Sequence, residues 1–379
     1  MKKAVSLALV LSLAFSLCLP IEAIPASREP IPSLSAQSAI LMNPENGEVY
    51  FEKNADEELG MASTTKLMTA LVIAEAMTPE TTIVIPQEAV GVEGSSIYLV
   101  EGERLTVYEL LCALLLASAN DAAVALAISL SGSVDAFADR MNQRAAEMGL
   151  CHTHFTNPHG LHEEGHYTTA RELGQIAAEV LKHPMLKEIV STKKMTIPHD
   201  GTPDLRLLVN HNKLLRTYRG AIGMKTGYTQ RTGRTLVSAA ERDGLTLIAV
   251  TLNAPSDWQD HTLLLDYGFA SYERVVFATA GSFSFSLPVT GGKKDTVTLT
   301  NRDDLVLILP KNRSEPTYSV EGTGHFGYAP IHARTPMGTV TVQCEGYSVS
   351  SPLISTEFVF SATPYKKSPF ERFLTFFTT

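Results

Sequence analysis

Between residues 64 and 78 the chain is apolar almost all round, with Leu67, Met68, Leu71, Val72, Ile73 and Met77 leaving no polar face for water. A helix of that pattern belongs in the middle of a protein, so the rest of the chain must wrap it on every side. Ser63 stands at its start as the capping residue. There is chain enough for the task, since 379 residues amount to roughly two to three domains. The composition also suits it: 44% hydrophobic against 19% charged residues is unlike the balance of a disordered chain.

The wrapping elements can be read on either side of this helix. Before it, Ser38-Ala-Ile-Leu-Met42 and Glu48-Val-Tyr-Phe-Glu52 flank the turn residues Asn43-Pro-Glu-Asn-Gly47 and predict a β-hairpin. After it, Thr106-Val-Tyr-Glu109 is a capping box opening a second apolar helix that runs to about Ala117. Helical patterns follow over 121–130 and 133–148, and Thr169-Ala-Arg-Glu172 opens another helix that ends near Pro184. Strand patterns return at 234–240 and 245–252, joined by the turn pair Asp243-Gly244. The order of hairpin, helices and hairpin predicts an α+β fold: an antiparallel sheet whose first and last strands meet, covered by a helical block.

From about Val276 to Phe360, short Val/Thr/Phe/Ile runs alternate with Gly, Pro and Asn-Arg-Asp turns, which predicts a small all-β domain. The N-terminus shows a different organisation. Met1-Lys2-Lys3, an apolar run to Leu19, Pro20 and the small residues Ala23 and Ala26 read as a secretory signal peptide, placing the mature chain outside the cytoplasm. The expected division is therefore a leader at 1–26, a main unit at 27–275, the all-β domain at 276–363 and a tail at 364–379. In the tail, Phe370, Phe373, Leu374 and Phe377 share one helical stripe beside Lys366, Lys367 and Arg372. Such a stripe suits a membrane interface, or a helix docked on the protein. No other window approaches the roughly 20 apolar residues of a transmembrane helix.

Composition removes several functions. A net charge of −9 without a basic block excludes a nucleic-acid partner. Cys18 leaves with the leader, and the odd set Cys112, Cys151 and Cys344 at irregular spacing argues against a disulfide framework. Cys112, within an apolar run, reads as a small buried hydrophobe.

Three short motifs point to chemistry. Ser63-Thr-Thr-Lys66 puts a hydroxyl and an amine three residues apart on one helical face, where the amine can reach the hydroxyl. The positive end of the helix and a second nearby cation both push a lysine toward the neutral base that could activate the serine as a nucleophile. Ser118-Ala-Asn120 sits at a break between two apolar helices, where alternate residues can point into one cleft. Lys225-Thr-Gly227 leads into the late strand pair, and Gly227 removes a side chain where backbone would approach a ligand. The triplets lie 55 and then 107 residues apart.

This set resembles the serine active-site penicillin-recognising enzymes, which share Ser-x-x-Lys, Ser-x-Asn and Lys-Thr-Gly. Within them the chain is most similar to the D-alanyl-D-alanine carboxypeptidases of the low-molecular-mass penicillin-binding class. The likeness rests on Met61-Ala-Ser-Thr-Thr-Lys-Leu-Met-Thr-Ala70, Ala117-Ser-Ala-Asn-Asp-Ala-Ala123, Phe155-Thr-Asn-Pro-His-Gly-Leu161, His166-Tyr-Thr-Thr-Ala170 and Gly223-Met-Lys-Thr-Gly-Tyr-Thr229. The resemblance implies a DD-peptidase/β-lactamase-like fold and release of the terminal D-alanine from peptidoglycan stem peptides, with β-lactams as inhibitors and no metal or organic cofactor. By the same resemblance Ser63 is the nucleophile, Lys66 its base, Ser118 the proton relay and Asn120 the group that positions Lys66 and the substrate amide. Lys225 and Thr226 would meet the substrate carboxylate, with Gly227 between them and Tyr228, whose backbone N–H joins that of Ser63 in an oxyanion hole. Relatives use a distal arginine for the carboxylate about 35 residues beyond the Lys-Thr-Gly triplet. Here Ser256-Asp-Trp-Gln-Asp-His261 holds none, which leaves Lys225 with Thr226, or another arginine such as Arg234.

Three rival readings have sequence features of their own. His162-Glu-Glu-Gly-His166 matches H-E-x-x-H, but Pro158, Gly160 and Gly165 are poor for the helix a zinc peptidase needs; the stretch is expected to be a loop bordering the cleft. A class A β-lactamase would want Ser-Asp-Asn and a deacylating glutamate, and neither Glu163 nor Glu164 sits in the usual E-x-x-L-N setting. A non-catalytic wall-binding protein would not need the full set of catalytic side chains that this chain retains.

Overall fold

The computed structural model describes residues 32–199 and 202–362, so the leader and the tail lie outside the described residues. In chain order, β1 (Ser38–Met42) and β2 (Val49–Lys53) form the first hairpin, and a 3-10 turn (Ala62–Thr65) leads into α1 (Lys66–Ala76). A small ribbon, β3 (Thr82–Val84) with β4 (Arg104–Thr106), precedes α2 (Val107–Leu116), α3 (Asn120–Ser131) and α4 (Val134–Glu147). Next come α5 (Ala170–Lys182), α6 (Pro184–Ser191), a second ribbon of β5 (Lys194–Pro198) and β6 (Leu205–Val209), and the single turn α7 (Leu214–Thr217). The main sheet is then completed by β7 (Ala221–Thr229), β8 (Gly233–Arg242) and β9 (Leu245–Leu252), followed by α8 (Asp257–Ser271).

The sheet order is β2-β1-β9-β8-β7, antiparallel throughout, with Ile40 opposite Val250 where the first and last strands meet. Both faces of this sheet are covered, and the alternation of its strands sorts the residues. Ile40, Met42, Ile248 and Val250 face the helical block, whereas Ala39, Leu41, Leu247 and Ala249 pack beneath α8 with Leu264 and Leu265. α1 runs through the helical block and touches α2, α3, α4, α5 and α6, with every residue from Lys66 to Ile73 buried. The capping signals at α2 and α5 were accurate. Thr106 and Glu109 form the reciprocal box at α2, and Thr169 accepts from the Glu172 N–H at α5.

Ser63 departs from expectation. It lies inside the 3-10 turn, and neither it nor Thr65 at the N-cap position makes a side-chain cap. The hydroxyls there have other partners, described below. The helix α6 and the ribbon β5–β6 had no clear sequence signature, since each is short and half its residues are exposed.

β10 (Tyr272–Ala278) starts where α8 ends, so the change of texture read at Val276 falls inside a strand. It pairs with β13 (Leu305–Pro310) beside a six-stranded sheet ordered β14-β16-β17-β12-β11-β15. Those strands are β11 (Ser284–Thr290), β12 (Thr296–Asn301), β14 (Thr317–Glu321), β15 (Gly327–Tyr328), β16 (Pro336–Cys344) and β17 (Tyr347–Ser355). They enclose a separate core that includes Leu287, Val297, Leu299, Leu305, Val340 and Leu353.

Candidate active site

The turn bearing Ser63 is held from three sides. Ala62 sits at φ 46°, an uncommon conformation for a residue with a Cβ. Its carbonyl accepts from Thr65 Oγ1 at 2.8 Å, and that hydroxyl lies 2.7 Å from His166 Nε2. The Thr156 N–H donates to His166 Nδ1 at 3.1 Å, so the ring proton is on Nε2 and points at Thr65. Burial pushes His166 down to about 4, keeping it neutral in this role. From the sheet, Thr235 Oγ1 donates to the Met61 carbonyl at 3.0 Å.

Two glycines make the fit possible. A Cβ on Gly160, which has φ +85°, would lie 1.9 Å from the Ala62 carbonyl oxygen. A Cβ on Gly227 would lie 2.3 Å from Thr235 Oγ1 and 3.0 Å from the Ser63 nitrogen. The second observation corrects the sequence reading: Gly227 is small because β7 packs against the serine turn itself, not only to admit a ligand.

Lys66 is fully buried, and its Nζ contacts Ser63 Oγ at 3.0 Å, Asn120 Oδ1 at 2.7 Å and the His159 carbonyl at 2.7 Å. Asn120 Nδ2 donates to the Glu93 carbonyl at 2.6 Å, which fixes Oδ1 as the atom facing the lysine. Two of the three neighbours are therefore pure acceptors. A neutral amine has two protons and one lone pair, so with the protons on Asn120 and His159 the lone pair is left for the Ser63 hydroxyl. Desolvation holds Lys66 well below the usual lysine range, and the charge of Lys225 adds to the effect while Asp121 opposes it. Burial, more than the helix terminus, prepares the base.

Lys225 is 1% exposed; its Nζ donates to Ser118 Oγ at 3.0 Å and to the Thr226 carbonyl at 2.8 Å. Burial pushes it down to about 7. Ser118 occupies the break between α2 and α3 at φ 60°, a strained conformation that turns its hydroxyl out of the helical path. Asp121, one residue after the triplet, escaped notice in the sequence. Its buried carboxylate accepts from Ser96 Oγ at 2.6 Å and from the Ile97 and Leu99 N–H groups at 3.1 Å each, tying the 95–99 loop to α3. Only its place directly after Asn120 could have suggested this.

Ser63, Ser118, Thr226, Gly227 and Tyr228 line one cleft of about 600 Å³, with Lys66 and Lys225 buried directly behind the two serines. β7 is the edge strand, and Tyr228 stands opposite Arg234 on β8. The Arg234 carbonyl bonds the Ala254 N–H at 2.9 Å on the far side, so Tyr228 and Arg234 form a non-hydrogen-bonded pair. The Tyr228 N–H consequently points away from the sheet toward the cleft. The Ser63 N–H is a first-turn amide with no intrahelical acceptor.

The cleft also holds cations. Arg234 is half exposed, lies 5.9 Å from the Tyr228 ring and pairs with the buried Asp257 carboxylate at 3.5 Å. Lys213 and Arg216, which the sequence did not single out, line the same opening. The arginine-free stretch 256–261 has structural work: Asp260 accepts from the Ser35 and Ala36 N–H groups, and His261 bonds Thr251 at 3.0 Å. The zinc-like stretch 162–166 is loop rather than helix, with His162 exposed and His166 committed to Thr65. Its spacing therefore does not put two imidazoles on one helical face.

Against known proteins, residues 25–256 match the family model of the peptidase S11 D-alanyl-D-alanine carboxypeptidases. The Bacillus subtilis D-alanyl-D-alanine carboxypeptidase DacF is 32% identical over 333 residues, 85% of each chain. Escherichia coli DacA, of the same description, is 31% identical over 343 residues, covering 86% of this chain and 83% of that one. Among solved structures, penicillin binding protein 5 from Haemophilus influenzae aligns with TM-score 0.71 at 29% identity, over 88% of this chain and all of that one. A peptidoglycan synthesis regulatory factor (PBP3) from Streptococcus pneumoniae aligns with TM-score 0.73 at 26% identity, over 86% of this chain and all of that one. With the family model spanning more than half its length and relatives matching along both halves, the chain belongs to the D-alanyl-D-alanine carboxypeptidase family of penicillin-binding serine hydrolases.

Proposed function

We propose that Ser63 is the nucleophile of an acyl-serine mechanism, with two separate lysine–serine pairs dividing the proton traffic. The observation that supports it is the pairing of Lys66 with Ser63 and of Lys225 with Ser118, each at 3.0 Å, along one cleft. Ser63 Oγ attacks the carbonyl carbon between the two D-alanines as its proton passes to the neutral Lys66. The developing oxyanion is met by the N–H groups of Ser63 and Tyr228; removal of one such donor typically costs about 10²- to 10³-fold in rate. When the C–N bond breaks, the Ser118 hydroxyl gives its proton to the leaving nitrogen and is resupplied from Lys225. Water then hydrolyses the ester and frees the shortened peptide. Asn120 holds Lys66 and offers its amide to the substrate.

The leaving residue ends in a carboxylate, and Arg234 is the group assigned to it, alongside Lys225 and Thr226. Its guanidinium is half exposed and braced by Asp257, which leaves other N–H donors for the ligand. The leader at 1–26 would export the chain, so that the main unit at 27–275 acts on peptidoglycan stem pentapeptides at the outer face of the cytoplasmic membrane. The domain at 276–363 and the tail at 364–379 would place it there. Removing the terminal D-alanine deletes the donor needed for cross-linking, so the role is control of wall cross-linking.

Rapid β-lactam hydrolysis is disfavoured. The Lys66 amine faces the His159 carbonyl where a deacylating enzyme would need a carboxylate, and Glu163 is turned to Asn157 at 3.1 Å. Mass spectrometry of the protein with a stem pentapeptide tests the reading. Loss of one alanine is expected, abolished in Ser63→Ala together with labelling by a fluorescent penicillin, and indifferent to a metal chelator. Undiminished release by Ser63→Ala would overturn it.

A further inference from the structure

Where α8 passes into β10, the main unit and the trailing sheet meet around a cavity of about 320 Å³. Arg219, Arg242 and Asp243 wall it from the main unit, and Glu273, Arg274 and Lys311 from the trailing one. It shares no wall with the cleft beside Ser63. Its volume stands at the lower end of the roughly 300–1,000 Å³ of small-molecule sites.

The charges of this cavity are uneven. Four cations face two carboxylates, an excess of two positive charges in a chain whose 40 acidic residues outnumber its 31 Lys and Arg. One of the carboxylates is already engaged, since Glu273 pairs with Arg313 at 2.6 Å. Like charges gathered at one place repel, so the cluster costs stability until an anion neutralises it.

The cations are also set in place. Arg242 lies between the rings of Tyr218 and Phe269, its guanidinium carbon 4.5 Å and 4.6 Å from their centroids, and its Nε donates to the Arg219 carbonyl at 3.2 Å. Lys311 donates to the Phe269 carbonyl at 2.7 Å, so one residue of α8 fixes two of the four. Arg274 lies across the Asp243-Gly244 turn, where a Cβ on Gly244 would come 3.1 Å from its Cδ. The side chains of Arg219 and Arg274 have no hydrogen-bond or ion-pair partner among the described residues, which leaves both planar forks open.

Open guanidinium forks around an excess of two positive charges suit a dianion whose oxygens accept paired N–H donors. We propose that this junction cavity is a binding site for a phosphate monoester. Arg219 and Arg274 take the phosphate oxygens, one fork from each unit, while Arg242 and Lys311 complete the positive field. A ligand held in this way ties the trailing unit to the main one and stabilises the folded chain. The phosphate is supplied by a soluble ester or by a lipid headgroup, and the site does not depend on the carboxypeptidase reading.

Titration calorimetry of the full chain with inorganic phosphate and with glycerol 3-phosphate, in chloride buffer of matched ionic strength, tests the site. Saturable binding of one anion per chain is expected, and it should persist after a penicillin has acylated Ser63. Arg219→Gln combined with Arg274→Gln should raise Kd at least about tenfold, because two charge-assisted contacts are lost. Labelling by a fluorescent penicillin should keep the parent's rate in that variant, which reports an intact fold. Affinity should also fall as pH drops below about 6, where a phosphate monoester takes up a proton and becomes a monoanion. Co-sedimentation with phosphatidylcholine vesicles containing phosphatidate separates the two sources: retention lost in the double variant assigns the site to a headgroup, and retention equal in parent and variant assigns it to a soluble ester. Absence of saturable binding by either anion, binding unchanged in the double variant, or binding abolished by penicillin would each overturn the proposal.

Discussion

The two parts of this chain bury polar residues for different ends. In the trailing sheet, β10 onward, the buried polar side chains among the described residues are Asn301, Ser351 and Ser355, and no charged residue is buried. Each satisfies nearby turns: Asn301 donates to the Thr279 and Asp303 carbonyls, Ser351 accepts from the Asp303 N–H and Ser355 from the Thr335 N–H. The unit around α1 instead buries Lys66 and Lys225, partnered across 54 and 107 residues of chain. Desolvating an ammonium costs far more than burying an amide that keeps its hydrogen bonds. The first kind of burial stabilises a fold, whereas the second spends stability on reactivity.

The sharpest way to break this contrast is Lys66→Met. Acylation by a fluorescent penicillin should slow by about 10²- to 10⁴-fold, the usual value of a positioned base. The melting temperature should hold or rise, because an apolar side chain of similar length replaces a buried amine. A protein that melts much lower with acylation intact would make Lys66 structural.

Next in size is the pH response. Lys225 lies at about 7 because it is buried, and its cation is the form that resupplies Ser118 and meets the carboxylate. A depressed lysine loses its proton as pH rises through that value, so kcat/KM for peptide should fall above about pH 7, roughly tenfold per unit. Lys225→Arg, which stays charged, should remove the alkaline limb even if the plateau is lower. An unchanged limb in that variant would assign it to another group.

The smallest catalytic effect is expected from the trailing sheet. Asn301→Ala should lower stability by about 1–3 kcal/mol, since it removes the hydrogen bonds of a buried amide to the Thr279 and Asp303 carbonyls and the Phe283 N–H. Its kcat/KM for peptide should stay within about twofold of the parent. Thermal unfolding and initial rates measured on one preparation decide this, and a large loss of kcat/KM would show that the sheet also shapes the site.

Local signals account for what was legible in advance. The boxes at Thr106 and Thr169, the Asp243-Gly244 turn and the alternating strands act over a few residues, and the structure places elements there. The unforeseen features lack a local cause. Ser63 looked like a cap because a serine preceded an apolar run, yet that turn answers to Gly160, His166 and Thr235, all roughly a hundred or more residues away. Arg216 and Lys213 gave no signal because nothing in α7 shows that it will border a cleft.

By itself the sequence determined the inventory and its order: two serines, two lysines, an asparagine, a glycine, and the hairpin–helix–hairpin succession that folds them into one sheet and one helical block. Tertiary structure alone decided the state of those groups. An amine becomes a base when water is excluded from it and carbonyls take its protons, and both conditions come from residues such as Asn120 and His159 that meet Lys66 only after folding.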